Sequence, residues 1–154
     1  MYRIAKLGYV FIFSLLVGFM AVVQWSLVPA QNRLPAEGYA ILEQGMNRVL
    51  KTLTPTLMIS ALILWIVVIV MAYRQKSKMR LFFIIAGVGL LAMITSTLLI
   101  NAPINNAVDM WNAASPPADW QILRDRWELG HAIRSYIGLI SLVIAQVAVI
   151  WDAP

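Results

Sequence analysis

Trp120, Arg124, Trp127, His131 and Arg134 follow one another at steps of four, three, four and three residues. On an α-helix that spacing puts five side chains on one stripe. The stripe holds the only histidine of the chain, two guanidiniums and two indoles. Imidazole titrates near neutrality and guanidinium is a fixed cation, so acid–base work and anion binding are the chemistries open to the set. Asp119 after Pro116 and Pro117 is a reasonable N-cap, and no Gly-Pro break separates the stripe from the apolar run 135–151. The stripe therefore meets a membrane at its C-terminal end. Ionisable groups at that boundary mark a functional site and require partners.

The elements that must position the stripe follow from charge. Only 12% of the residues are charged and 61% are hydrophobic. Residues 7–32, 52–73, 81–108 and 135–151 carry no charged side chain. A hydrocarbon core of about 30 Å needs roughly 20 apolar residues in a helix. Residues 1–154 thus read as one integral membrane domain with spans at about 7–28, 55–73, 81–100 and 133–151, the last complete if His131 and Arg134 lie near the interface. Arg3 and Lys6 precede the first span, whose apolar run exceeds that of a signal peptide, so an uncleaved anchor is expected. Residues 37–53 and 118–132 have apolar positions at helical spacing and one polar edge, as amphipathic helices do. The expected fold class is all-α: a four-transmembrane-helix bundle with amphipathic surface helices between spans 1–2 and 3–4. Pro55 suits the first turn of the second span, whereas Pro103 is expected to break or kink the third. Gly87 and Gly89 predict a tight crossing, and Gly8, Ser14 and Gly18 are small enough to admit a close neighbour.

In this arrangement Gln24, Asn47, Arg48, Asn101 and Asn105 fall at the same membrane face as Arg124, His131 and Arg134, and could line a polar pocket open to that side. Each also has a plainer reading. Gln24 suits an interhelical hydrogen bond. Arg124 and Arg126 can pair with Asp119, Asp125 or Glu128, at about 0.3–0.5 kcal/mol per exposed pair. His131 can bond a backbone carbonyl or Glu128. Trp25, Trp111, Trp120 and Trp127 suit an outer aromatic belt, with Tyr9, Tyr73 and Trp151 forming the inner one. Arg74, Lys76, Lys78 and Arg80 crowd one short loop, which puts that loop and both termini in the cytoplasm, with the bacterial inner membrane the expected location.

A weak internal repeat is also present. Pro29-Ala-Gln-Asn32 resembles Pro103-Ile-Asn-Asn106, and Tyr39-Ala-Ile-Leu42 resembles Trp120-Gln-Ile-Leu123, with Pro35 and Pro116 at matching distances. The halves share orientation, so an axis along the membrane normal would relate them.

Other chemistries lack their residues. There is no cysteine, so disulfides and thiolate nucleophiles are excluded, and one histidine with scattered acids supports no metal site. A haem on His131, its propionates held by arginines, would show as a Soret band. The net charge of +5 is a topology signal rather than a nucleic-acid footprint. Hydrolase, kinase and dinucleotide motifs are absent.

Gln44-Gly-Met-Asn47-Arg48, Asn101-x-Pro103-x-Asn105 and Arg124-x-x-Trp127-x-x-x-His131-x-x-Arg134 resemble the anthrone oxygenase-like family of small four-helix membrane proteins. The similarity runs from about Leu15 to Val149. It implies a four-helix membrane domain and, for a few members, oxidation of polycyclic anthrones to anthraquinones by dioxygen without metal or flavin. The residues carried over are Asn101, Asn105, Arg124, Trp127, His131 and Arg134. On that chemistry His131 would be the base, Arg124 and Arg134 would hold the oxyanion, Asn101 and Asn105 would donate to carbonyl oxygens, and Trp127 would stack on a flat ring. Asn47, Arg48 and Gln24 complete the expected binding set. Family membership does not carry the reaction with it. Three classes of function stay open: an oxygenase or other oxidoreductase for a flat aromatic or quinone-like molecule; a non-catalytic accessory subunit holding a lipid, quinone or partner helix; and a structural subunit of a homo-oligomer or larger complex.

Overall fold

The computed structural model describes residues 1–152. Four helices are long and apolar enough to cross a membrane: α1 (Tyr2–Gln31), α2 (Ala36–Arg74), α3 (Arg80–Asp109) and α4 (Trp120–Trp151). No strand occurs among the described residues. The amphipathic stretch 37–53 and residues 120–132 of the second one are the first halves of α2 and α4, continuous with the spans that follow them.

Three prolines are accommodated without a break. Pro55 stands inside the 39-residue α2 rather than at the start of a helix. It forfeits one backbone donor there, and one turn of the helix is fastened instead by the Thr56 hydroxyl, which donates to the Thr52 carbonyl at 2.7 Å. Pro103, expected to break or kink the third span, does not break it. A five-residue π-helical turn, Thr97–Asn101, directly precedes the segment that Pro103 opens. A proline ring collides with the carbonyl four residues back in an α-helix, and a π turn widens the backbone at that point. Pro29 follows the π turn Val23–Leu27 at the same offset. The repeat read from Pro29 and Pro103 thus corresponds to a shared local geometry, and its aromatics Tyr39 and Trp120 touch each other at 5.2 Å between ring centroids.

α3 packs most extensively on α4, and α1 on α2. Glycine makes the first crossing close: a Cβ added at Gly89 would fall 1.7 Å from Ser141 Oγ of α4, while Gly87 faces α2, where a Cβ would overlap the Trp65 indole. Trp65 Nε1 donates to the Phe83 carbonyl at 2.8 Å, fixing that indole across α2 and α3. Gly18 has no neighbour within 4 Å of such an added Cβ, so it is not a crossing point. The interior is built of Tyr9, Phe13, Leu16, Met20, Phe83, Leu90 and Met93, while Phe11, Ile63, Ile66, Leu99 and Ile140 face outward. Apolar residues on both faces are what a helix bundle in lipid requires, its association resting on packing rather than on exclusion of water. Tyr9 and Trp127 are buried, so neither belongs to an aromatic belt, whereas Trp25, Tyr73 and Trp151 are exposed.

The ends of the bundle differ. At one, Asp152 accepts from Tyr2 OH (2.7 Å), Lys6 Nζ (3.0 Å) and Ser77 Oγ (2.6 Å), which gathers the N-terminus, the 75–79 loop and the end of α4. The polar residues singled out from the sequence lie toward the other end.

Candidate functional site

The site begins at the π turn of α3. Asn101, its last residue, is fully buried, and its Nδ2 donates to the Trp127 carbonyl of α4 at 2.9 Å. Gly130 allows this approach, since a Cβ there would sit 2.7 Å from Ile100 Cγ2 and 3.1 Å from Asn101 Oδ1. One turn further along α3, Asn105 Oδ1 accepts from Trp127 Nε1 at 2.6 Å. Two asparagines thus hold Trp127 by backbone and indole. Its ring in turn lies flat against His131, with centroids 4.9 Å apart and planes 2° from parallel.

Both nitrogens of His131 are engaged. Nε2 is 3.2 Å from the Met20 carbonyl of α1, and Nδ1 is 2.8 Å from Arg134 Nη2 and 3.2 Å from Nε. A guanidinium only donates and a carbonyl only accepts. The proton therefore sits on Nε2 and the Nδ1 lone pair faces Arg134, which makes the imidazole neutral. Arg134 Nη1 donates to Thr97 Oγ1 at 2.8 Å, and that hydroxyl donates to the Met93 carbonyl at 2.9 Å. Arg134 is only 7% exposed, and no carboxylate lies within ion-pair distance of it among the described residues.

These groups face a cavity of about 530 Å³ among α1, α2, α3 and α4. Its wall is mainly apolar, with Met20, Met58, Leu62 and Ile94 among the lining residues. Polar exceptions include His131, Arg134, Trp127, Asn105, Asn47, Thr97 and Glu43. Ile59 of α2 and Leu98 of α3 also line it and are 57% and 62% exposed, so its wall reaches the outer surface of the bundle between α2 and α3. Asn105 Nδ2 makes no hydrogen bond among the described residues and is a free donor on this wall.

Of the nine residues predicted from the sequence, the structure brings five to the cavity: His131, Arg134, Trp127, Asn105 and Asn47. Asn47 also fastens α2 to α3, its Nδ2 donating to the Asn105 carbonyl at 3.2 Å and to Asp109 Oδ1 at 2.8 Å, while Lys51 pairs with the other Asp109 oxygen. Gln44 extends the clamp to the Val108 and Trp111 carbonyls at 3.0 and 2.9 Å. Asn101 lies behind the wall as a support for Trp127. Arg124 is turned away; it pairs with Asp125 at 2.8 Å and lies over the Trp120 ring at 5.1 Å. Arg48 is exposed, and Gln24 sits in the first π turn with a buried Oε1 that has no partner. His131 bonds a carbonyl rather than Glu128, which accepts from Asn32 at 3.1 Å.

Sequence reasoning missed Glu43 and Gln31. Glu43 is 2% exposed, lines the cavity and accepts a hydrogen bond from Gln31 Nε2. Its sequence signal was the i, i+4 relation to Asn47, which shares its helix face.

No curated protein and no solved structure matches the chain. A family model does, over residues 44–144, a stretch that holds the clamp of Gln44 and Asn47, the π turn with Asn101 and Asn105, and the Trp127–His131–Arg134 cluster. That match covers well over half of the chain, which therefore belongs to the anthrone oxygenase family.

Proposed function

We propose that the chain is a membrane oxygenase for flat, weakly acidic polycyclic phenols of the anthrone type, which enter sideways from the bilayer. The observation that carries this reading is Arg134: a buried guanidinium with no carboxylate, set in the wall of an apolar cavity. A buried charge calls for a counter-charge. An anthrone supplies one when a methylene proton leaves, because the electron pair delocalises onto the ring oxygen. The carbanion then adds dioxygen, and the hydroperoxide loses its second C–H proton and splits between its oxygens. Overall the methylene and dioxygen give a ketone and water. Arg134 would stabilise the oxyanion, and the free Asn105 Nδ2 would donate to a substrate oxygen. Trp127 and His131, stacked together, offer one flat edge to the ring system. His131 serves as the base only when Arg134 leaves its Nδ1.

The test is conversion of 1,8-dihydroxyanthrone to the anthraquinone, with oxygen uptake, by the purified chain in nanodiscs. Arg134→Met should lower turnover by about 100-fold, the usual cost of losing one oxyanion donor. Equal turnover by the variant would sink the reading. The same unpaired cation also suits the acidic head group of a lipid bound without chemistry. That second reading gains if the wild-type chain is inactive and carries a bound acidic lipid that Arg134→Met releases.

The reading places the chain in the bacterial inner membrane with both termini in the cytoplasm, supported by the four basic residues of the 74–80 loop. The absence of cysteine makes this simple to check. A single cysteine at Asn112 should react with an impermeant maleimide on intact cells, and one at Gln75 should not.

A further inference from the structure

Glu43 is the only carboxyl among the residues that line the cavity, and it lies just outside the stretch matched by the family model. It is 2% exposed and forms no ion pair among the described residues. Lys51, two turns further along the same helix and also on the cavity wall, is taken by Asp109. The one partner of Glu43 is an amide: Gln31, 1% exposed at the end of α1, donates from Nε2 to Oε1. The second carboxyl oxygen makes no hydrogen bond among the described residues, and the other end of the amide, Gln31 Oε1, is buried without a partner.

A carboxyl this deep is normally matched by a cation or by several donors. Here one oxygen is held in place and the other is left free toward an apolar space. That arrangement serves a group that must accept a proton and return it. The imidazole that also lines the cavity is less suited in its resting geometry, since its lone pair already accepts from Arg134. We infer that Glu43 is the general base of the site, with Gln31 as its positioning residue, and that Arg134, itself positioned by His131, is the oxyanion-holding group. This assignment rests on the oxygenase reading above.

In the step proposed, the methylene C–H bond breaks and the proton goes to Glu43 while the electron pair stays with the substrate as its enolate. Dioxygen, the oxidant, adds to the carbon, and the protonated Glu43 returns its proton to the peroxide. Glu43 then takes the remaining C–H proton as the C=O bond forms and the O–O bond breaks. The expelled hydroxide takes that proton to become water, and the carboxylate is restored.

The first step is separable from oxidation. Under nitrogen in D₂O, the wild-type chain in nanodiscs should exchange the methylene protons of 1,8-dihydroxyanthrone for deuterium, followed by NMR, without forming quinone. Glu43→Gln, close in shape and neutral, should lower that exchange by about 100-fold or more, the range expected for a lost general base. Its affinity for the anthrone, read from tryptophan quenching, should stay within about three-fold, and Glu43→Asp should recover part of the exchange. Exchange by Glu43→Gln at the wild-type rate overturns the assignment. So does a loss of binding that parallels the loss of exchange, which would make Glu43 structural. A wild-type chain that consumes oxygen but exchanges nothing removes Glu43 as base and leaves the oxygenase; one that does neither removes both.

Discussion

A guanidinium 7% exposed with no carboxylate beside it strains its surroundings, because desolvating a charge costs several kcal/mol and the hydrogen bonds it donates to Thr97 and His131 replace only part of its hydration. Arg134→Met should therefore raise the melting temperature of the empty protein in nanodiscs even as it removes turnover. A lowered melting temperature would mean that the cation is already compensated, and the case for a missing anion would fail. The 3.6-residue period alone was enough to align Trp127, His131 and Arg134. It could not exclude Arg124, which shares the stripe but finds Asp125 and the Trp120 ring before it reaches the interior. Glu43 was hidden for the converse reason. An acid between Tyr39 and Asn47 on an amphipathic face reads as solvated, and only Gln31, delivered from another helix, shows that it is buried.

At the level of helices, two features position the site: the π turn before Pro103 and the glycine contacts between α3 and α4. Pro103 was visible in the sequence as a disturbance, yet its ring has two remedies, a broken helix or a widened turn, and nothing local chooses between them. The packing of α3 on α4 along the whole bundle favours the continuous one, which leaves Asn101 turned toward Trp127. The close contacts at Gly87, against α2, and Gly89, against α4, were more legible, since small residues in an apolar span have few other uses. Gly89→Ala would put a methyl group 1.7 Å from Ser141 Oγ and 2.9 Å from its Cβ, so rotating the hydroxyl away cannot relieve the clash. It should destabilise the bundle by about 1–3 kcal/mol, the usual cost of overpacking. Ser141→Gly in the same chain should restore most of the loss, because the next atom, Ile137 Cγ2, is 3.6 Å away. If the two substitutions simply add, the contact is not where the helices meet.

Across the whole molecule, charge is divided between an end that is closed and an end that is open. The open end leaves Arg134 and Glu43 unpaired around a cavity; at the closed end the two buried charges among the described residues, Lys6 and Asp152, pair with each other. Asp152, just past the last span, holds Lys6, Tyr2 and Ser77 together and so ties the start of α1 and the end of α4 to the loop between α2 and α3. Burial pushes the Asp152 carboxyl up, but the hydrogen bonds from Ser77, Tyr2 and Lys6, with the charge of Lys6, outweigh it and hold the group below its ordinary value. A carboxyl whose folded value is depressed contributes stability that is present above its unfolded value, about 3.9, and is lost as pH falls through the folded one. At pH 7, Asp152→Asn leaves Lys6, 5% exposed, without its counter-charge, which should cost on the order of 3 kcal/mol. The melting temperatures of wild type and variant should then draw together as the pH drops below about 4, because protonation makes the wild-type carboxyl as neutral as the amide. A gap that stays constant down to pH 2.5 would show that the end is held by shape alone, and the lock would not be electrostatic.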